Sequence, residues 1–210
     1  MIDGKLDEAE WQQAQTIDEL TIINPFSLET PDYQTKVLIH SDESGIYFGF
    51  INQQPNETRD RRRHARDGLR ENHDRNVVVV DLDNTGNTAY MLGIALGKSV
   101  LDYTITNENE IDGDWDGEWF AETSENDENW YSEFFIPWNM APMNKQDEEK
   151  RTIGVSVSRM IQHLGIGIGF PAASFQRSEF LSVLHKVEVV QANPKSLDFF
   201  PYTVANNDFI

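Results

Sequence analysis

The stretch that decides the fold is Trp130-Tyr-Ser-Glu-Phe-Phe-Ile-Pro-Trp138. Every second residue from Trp130 to Ile136 falls on one face of an extended chain, and the residues between them fall on the other. Pro137 ends the pattern because it cannot donate a hydrogen bond to a neighbouring strand. The period of two predicts a β-strand with one face directed into a core.

A second aromatic run, Asp112-Gly-Asp-Trp-Asp-Gly-Glu-Trp-Phe120, precedes it, and the two runs hold four of the five tryptophans. The acidic spacer between them, Thr123 to Asn129, has no apolar residue. We predict a β-hairpin whose spacer is too long for a two-residue turn. An isolated hairpin is marginally stable, so we expect this one to pack between two layers, with its indole rings in the core.

Further short strands with turn residues between them run along the rest of the chain, and helical periodicity is almost absent. In the segment from Thr152 to Arg159, for example, Ile153, Val155 and Val157 alternate with small or polar residues, which is typical of a half-buried strand. About ten such strands predict an all-β fold, an antiparallel β-sandwich of the jelly-roll type. We predict one domain over residues 1–190 and a C-terminal extension or junction over 191–210.

Composition excludes several classes of function. The chain of 210 residues has a formal net charge of −19, which indicates a soluble, self-repelling surface and disfavours nucleic-acid binding. It has no cysteine, so neither disulfides nor thiol chemistry is available. No apolar run is long enough to cross a membrane as a helix.

Seven of the 17 Lys and Arg residues lie between positions 59 and 75. This basic segment has three interpretations: a solvated loop, a brace that pairs with the acidic body, or a site for an anionic ligand such as phosphate or an acidic sugar. The first two together rank ahead of the third.

The turn after the Asn76–Asp83 strand carries Asp81, Asp83 and Asn84, the oxygen-rich opening of a calcium loop. An EF-hand is excluded because Leu92 stands where the bidentate glutamate is required. An irregular calcium site built from these three residues stays open.

An ordered set of short motifs runs along nearly the whole chain, from Asp3 to about Pro201. They are Asp3-Gly-Lys-Leu-Asp-Glu-Ala-Glu-Trp11, Arg66-Asp67, Val80-Asp81-Leu-Asp83, Asp114-Trp-Asp-Gly-Glu-Trp119, Trp130 to Trp138 and Gly154-Val-Ser-Val-Ser-Arg159. The set resembles the family 9 carbohydrate-binding module in its DOMON-like form, as found at the N-terminus of large bacterial surface proteins. The resemblance implies a β-sandwich, sugar binding, structural calcium, export to the periplasm or outer membrane, and a C-terminal outer-membrane β-barrel as partner.

The sequence departs from the family at the sugar site, where two tryptophans hold the ligand. His73 stands in the loop that should carry the first, and Phe170 or Phe175 in the region of the second. The candidate ligand-binding residues are therefore the rings His73, Tyr103, Phe170 and Phe175, with Arg70, Asn72, Asp74 and Arg177 as hydrogen-bonding partners.

These features predict a non-catalytic carbohydrate-binding module of a cell-envelope protein, with an oligosaccharide or polysaccharide as ligand. The alternative is a structural or docking domain of an outer-membrane assembly without a sugar site. A haem-binding domain is a third hypothesis, suggested only by Met91, Met160 and His163, and we expect no haem. An enzyme is the least favoured class, because 36 carboxylates make chance pairs unavoidable and no nucleophile motif is present.

Overall fold

Strands account for nearly all of the regular structure in the computed structural model, which describes residues 1–68, 73–144, 148–174 and 178–191. Four short 3₁₀ helices span Ala9–Gln13, Asn56–Thr58, Gln162–Leu164 and Leu181–Val183. The thirteen strands are β1 Gln15–Ile17, β2 Thr21–Asn24, β3 Thr35–Ser41, β4 Gly45–Gln53, β5 Arg75–Asp81, β6 Thr88–Ala95, β7 Val100–Thr106, β8 Glu110–Asp112, β9 Phe120–Glu125, β10 Asn129–Pro137, β11 Lys150–Ile161, β12 Ile166–Phe170 and β13 His185–Val190.

The strands form two antiparallel sheets. Sheet A has the order β1-β3-β4-β10-β9, and sheet B has the order β2-β12-β11-β5-β6-β7-β8, with β13 also paired to β11. The long strand β11 therefore has β5 along one edge and both β12 and β13 along the other. This arrangement confirms the predicted all-β antiparallel sandwich.

Strand β10 lies inside sheet A, as its period of two predicts. It pairs with β4 along its full length and with β9 on its other edge. Trp130, Phe134 and Ile136 are buried in the core. Trp138 is also buried, whereas Trp115 and Trp119 are only half-buried, so the expectation of a fully internal set of indoles holds for part of the ribbon.

The length predicted for the hairpin spacer is wrong. Strand β9 continues through Thr123 to Glu125, and the Asn126 N–H donates to the Asn129 carbonyl at 2.9 Å. Only Asp127 and Glu128 form the turn. The polar residues before the turn belong to β9 and not to a loop. Strand β9 is the edge of sheet A, where polar and charged side chains are favoured because they protect the open edge.

The core between the sheets is apolar over most of its length. Ile153, Val155 and Val157 of β11 are fully buried in it, as their alternation predicts. Among the described residues, no helix is long and apolar enough to cross a membrane.

One end of the core is polar and links the two sheets. Asn52 of β4 and Asn76 of β5 exchange amide hydrogen bonds of 2.8 and 3.1 Å. Arg159 of β11 donates to Thr35 Oγ1 at 2.9 Å, and its guanidinium lies 5.7 Å from the ring of Trp130. Burial lowers the pKa of Arg159 to about 9. These contacts fix how the sheets sit on one another.

A chain segment covers part of the outer face of each sheet. Leu6 and Trp11 of the N-terminal segment lie against Gly49 of β4, on sheet A. On sheet B, Phe180 and Leu184 belong to a second buried apolar cluster with Val77, Val79, Met91 and other residues of the outer face. Each covering segment hides only part of the outer face of its sheet, and a surface depression lies beside it.

Candidate functional site

A pocket of about 160 Å³ opens on the outer face of sheet B, beside the segment that follows β12. Val77 and Val79 of β5 and Ser156 and Ser158 of β11 line it from the sheet. The two strands place these residues side by side, because Val77 pairs with Ser158 and Val79 with Ser156. The pocket thus has an apolar strip next to a row of hydroxyl groups.

A glycine of β12 packs closely against Ile23, one of the residues that line the pocket. Gly169 pairs with Ser158, and a methyl group built on Gly169 would lie 2.7 Å from Cδ1 of Ile23 and 3.1 Å from the Val157 carbonyl oxygen. Asn24 lines the pocket from β2, and Phe180 closes the opposite side. The absence of a side chain at Gly169 therefore lets Ile23 lie close to the sheet, and a larger residue would displace this wall of the pocket.

Two hydroxyl groups of β11 in this pocket are available to a ligand. Neither Ser156 Oγ nor Ser158 Oγ makes a hydrogen bond within the described parts of the chain. Each hydroxyl offers one donor and two acceptor positions. No carboxylate, lysine or arginine belongs to the described lining. The pocket therefore suits an uncharged ligand that carries both hydroxyl and C–H groups.

His73 and Asp74, two of the predicted ligand-binding residues, are buried at the end of the loop before β5. His73 is 3% exposed and stacks on His64 with ring centroids 4.4 Å apart. Burial lowers the pKa of His73 from 6.5 to about 4, and the positive charge of Arg75 acts in the same direction. The His73 ring face is covered by protein, so it is not an open platform for a sugar.

Asp74 serves the fold in the same region. Its carboxylate accepts hydrogen bonds from Gln54 Nε2 at 2.9 Å, from the Asp60 N–H at 2.8 Å and from the Gln162 N–H at 2.9 Å. Three segments far apart in sequence therefore meet at one carboxylate. This satisfied set of donors leaves Asp74 as a structural anchor.

Tyr103 and Phe170 also lie apart from the pocket. Tyr103 is buried in the outer cluster of sheet B, and its hydroxyl donates to the Asp67 carbonyl. Phe170 is half-buried and meets His185 edge-on at 5.0 Å. The other four predicted ligand-binding residues, Arg70, Asn72, Phe175 and Arg177, lie outside the described residues.

The described part of the basic segment braces the acidic body. The Arg59 side chain is fully buried and donates to the Gln54 and Asn126 carbonyls at 2.7 and 2.6 Å. Arg59 and Arg61 both pair with the carboxylate of Glu125. Arg61 Nη2 lies 2.7 Å from Glu125 Oε2. These contacts favour the brace interpretation of the segment.

Arg66 continues this pattern and explains two of the motifs. Its Nη2 lies 2.6 Å from buried Asp102 and 2.9 Å from Asp116. The other Asp102 oxygen accepts from the Gly117 N–H at 2.9 Å and from Trp119 Nε1 at 3.2 Å. The Arg66-Asp67 and Asp114–Trp119 motifs thus converge on one carboxylate of β7.

The turn predicted to bind calcium is held by internal donors. Asp81 accepts from the Asp83 and Gly86 N–H groups at 3.2 and 2.7 Å. Asp83 pairs with Arg151 at 2.7 Å. Among the described residues, the acidic side chains that come close enough to share an ion are Asp67, Asp102 and Asp116, and Arg66 already lies among them. Hydrogen-bond donors already contact the oxygens of both groups, and structural calcium at Asp81, Asp83 and Asn84 stays a prediction.

The residues behind the haem hypothesis occupy three separate settings. Met91 is buried in the outer cluster of sheet B, Met160 is half-buried on β11, and His163 is exposed in a 3₁₀ helix. Nothing in this arrangement favours haem binding.

Ser156 and Ser158 are not among the binding residues predicted from the sequence, although the sequence carries a signal for them. They form the small, polar half of the alternation in β11, whose apolar half predicts the core face correctly. A strand that alternates valine with serine marks a sheet face that can be either solvated or ligand-binding. Choosing between these requires knowing that β12 brings glycines alongside.

Comparison with solved structures finds the same architecture in carbohydrate-binding proteins. A family 9 carbohydrate-binding module from Caldicellulosiruptor kristjanssonii in complex with cellotriose aligns with a TM-score of 0.56 at 14% identity, covering 97% of this chain and 95% of that one. The same kind of module in complex with glucose gives 0.57 at 13% identity, with 94% of each chain covered.

A candidate carbohydrate-binding protein from Bacteroides uniformis gives a TM-score of 0.60 at 10% identity, covering 86% of this chain and 87% of the other. No family model and no curated protein matches the sequence. At these identities the likeness establishes the fold, and it confirms the predicted resemblance to the family 9 module at that level.

Proposed function

We propose that this chain is a non-catalytic carbohydrate-binding domain that holds a neutral sugar in the pocket on the outer face of sheet B. The observation that carries the proposal is the valine strip of β5 beside the unpaired hydroxyl groups of β11. Sugars present apolar C–H faces and polar hydroxyl edges, and this lining offers a partner to each. The solved modules with this fold were captured with glucose and cellotriose, which supports the choice of ligand class.

The position of the pocket agrees with the resemblance. The segment after β12, in which the second sugar platform was predicted, forms one wall through Ala173, Ser174 and Phe180. The net charge of −19 disfavours acidic glycans, and the arginines of the brace are already paired with carboxylates. A neutral oligosaccharide is therefore the ligand that we propose.

The same lining supports a binding role without catalysis. Glycoside hydrolysis by the common routes uses two carboxyl groups on either side of the bond that breaks. The described lining of the pocket contains none. Buried Asp74, Asp81 and Asp102 each accept hydrogen bonds that hold the fold.

Isothermal titration with glucose and cellotriose tests the proposal. Ser158→Leu would place an apolar side chain in the pocket and remove a hydroxyl group, and we expect it to abolish the heat of binding. Thr152→Leu is the matched control, because Thr152 lies on the same face of β11 but outside the pocket. Binding that is unchanged by Ser158→Leu would reject this pocket as the site.

A structural or docking domain is the second candidate function. The burial of His73 and Tyr103, which were predicted as sugar platforms, favours it. We propose the cell envelope as the setting in either case, with a C-terminal outer-membrane domain as partner, on the strength of the sequence resemblance. Fractionation of cells that express the natural protein tests the setting: recovery in the cytoplasmic fraction would contradict it.

A further inference from the structure

A row of aromatic side chains crosses the outer face of sheet A. His40, Tyr47, Phe135 and Phe120 stand on β3, β4, β10 and β9 and are directly paired in register. Successive ring centroids are 5.9, 4.7 and 6.1 Å apart. Four strands at a spacing of about 4.8 Å span about 14 Å, so the row forms an extended apolar strip.

The row ends at Phe120, whose ring is 48% exposed at the start of edge strand β9. Among the described rings it has one stacking neighbour, Phe135, at an interplanar angle of 18°. Phe120 also borders a groove of about 470 Å³, whose lining includes Trp119, Val100 and Ile2. Phe120 is the most exposed ring of the row, and it is also part of the groove lining.

The second ring of the groove is fixed in place. Trp119 Nε1 donates to Asp102 at 3.2 Å, and its ring stacks on Phe134 with centroids 6.0 Å apart and 13° between the planes. Asp102 and Phe134 are both buried, so the orientation of the half-buried indole is set from within the protein. A ligand that stacks here meets a surface that needs no ordering.

Polar groups lie at the rim of the same groove. The Arg66 side chain is 47% exposed and is held by Asp102 and Asp116. The Glu122 side chain is 40% exposed and is paired with Lys98 at 2.6 Å. Each charge has an internal counter-charge, and both residues belong to the groove lining. The rim therefore suits uncharged hydroxyl groups better than a charged ligand.

We propose that this groove, with the aromatic row beside it, is a second carbohydrate-binding surface that takes an extended neutral oligosaccharide. Phe120 and Trp119 stack on the C–H faces of sugar rings, and Arg66 and Glu122 bind hydroxyl groups. The ligand class rests on the proposed function, but the groove shares no lining residue with the sheet B pocket. Each surface can therefore be tested without the other.

The test is a titration of the whole chain with cellohexaose, maltohexaose and mannohexaose, and with tri-galacturonic acid as an acidic comparison. Phe120→Ala should weaken the binding of at least one neutral hexaose about tenfold. Phe120→Trp, which enlarges the stacking ring, should strengthen it. Ile111→Ala is the control, because Ile111 is an exposed apolar residue on β8, the edge strand of the other sheet.

The outcomes separate the two proposals. Loss of binding in Phe120→Ala but not in Ser158→Leu supports the groove and rejects the sheet B pocket. Loss in Ser158→Leu alone rejects the groove and supports the pocket. Tri-galacturonic acid bound as tightly as the neutral sugars would overturn the proposed ligand class, and no binding of any hexaose to the natural sequence would overturn the groove.

Discussion

On the outer face of each sheet, a chain segment covers part of the surface. The side chains that remain uncovered differ in kind between the two sheets. On sheet A, Leu6 and Trp11 cover Gly49, and the neighbouring surface is a row of aromatic rings. On sheet B, Phe180 covers the valines of β5, and the neighbouring surface is serine and glycine. The difference teaches that one sandwich can present a stacking surface on one face and a hydrogen-bonding pocket on the other.

The largest expected effect comes from removing the two covers. Phe180→Ala and Trp11→Ala should each lower the free energy of unfolding by about 3–5 kcal/mol, since each ring is buried in one cover. Urea denaturation measures both. Phe180→Ala should also abolish sugar binding at the sheet B pocket, whereas Trp11→Ala should leave that binding intact. A loss below about 1 kcal/mol for either variant would mean that its cover is not integral to the fold.

The next effect is a dependence on pH at the sheet B side. His73 has a folded-state pKa of about 4 against 6.5, so the unfolded chain takes up the proton first as the pH falls. The contribution of neutral His73 to the free energy of unfolding should therefore be fully present above pH 6.5. It should decrease by up to about 3 kcal/mol as the pH falls toward 4. His73→Phe keeps a ring against His64 and should flatten this slope in urea titrations. An unchanged slope in the variant would contradict the assignment.

A smaller effect is expected at the floor of the sheet B pocket. Gly169→Ala brings a methyl group within 2.7 Å of Ile23 and should cost about 1–3 kcal/mol of stability. It should also weaken sugar binding, because the pocket narrows beside Ser158. Gly167→Ala is the matched change on the same strand, where the nearest contact is 3.3 Å from Asn24 Cβ, and it should be milder in both measurements. Equal effects of the two alanines would contradict the role of Gly169.

The smallest expected effect is a pH dependence of stability at Glu133, beneath the N-terminal segment that covers sheet A. Its sign is opposite to that expected for His73. Burial raises the pKa of Glu133, whose carboxylate accepts from the Asp3 and Gly4 N–H groups at 2.9 and 3.1 Å. A raised carboxyl pKa means that stability decreases as the pH rises from 4.5 through the folded-state pKa. Glu133→Gln should therefore gain stability relative to the natural sequence over this range, as measured by thermal unfolding. A constant difference at all pH values would reject the expectation.

The sequence predicts the strands that carry a clear alternation. Strands β10 and β11 follow their patterns, because one face of each meets the core directly. Strand β9 escaped prediction in part, since an edge strand tolerates polar residues such as Ser124 and Glu125, and its buried Thr123 is satisfied by the Leu96 carbonyl. Local pattern is informative where burial is one-sided and continuous, and less so at the edge of a sheet.

The candidate site was harder to predict because its parts are joined only by the topology. Asp74 looked like a ligand-binding residue beside His73, yet its hydrogen-bond donors come from Gln54, Asp60 and Gln162. The Val77–Ser158 pairing brings together residues that are far apart in the chain. No local pattern specifies which distant segment will satisfy a carboxylate or border a serine.

Arg59 has one further consequence for how two distant surface segments are coupled. Its buried side chain ties the start of the 59–68 segment to the carbonyl oxygens of Asn126 and Asp127, at the tip of the β9–β10 hairpin. Because one planar guanidinium donates to both carbonyls, displacement of either segment would break these hydrogen bonds. The backbone amide resonances of the hairpin tip are thus a built-in reporter for displacement of that segment.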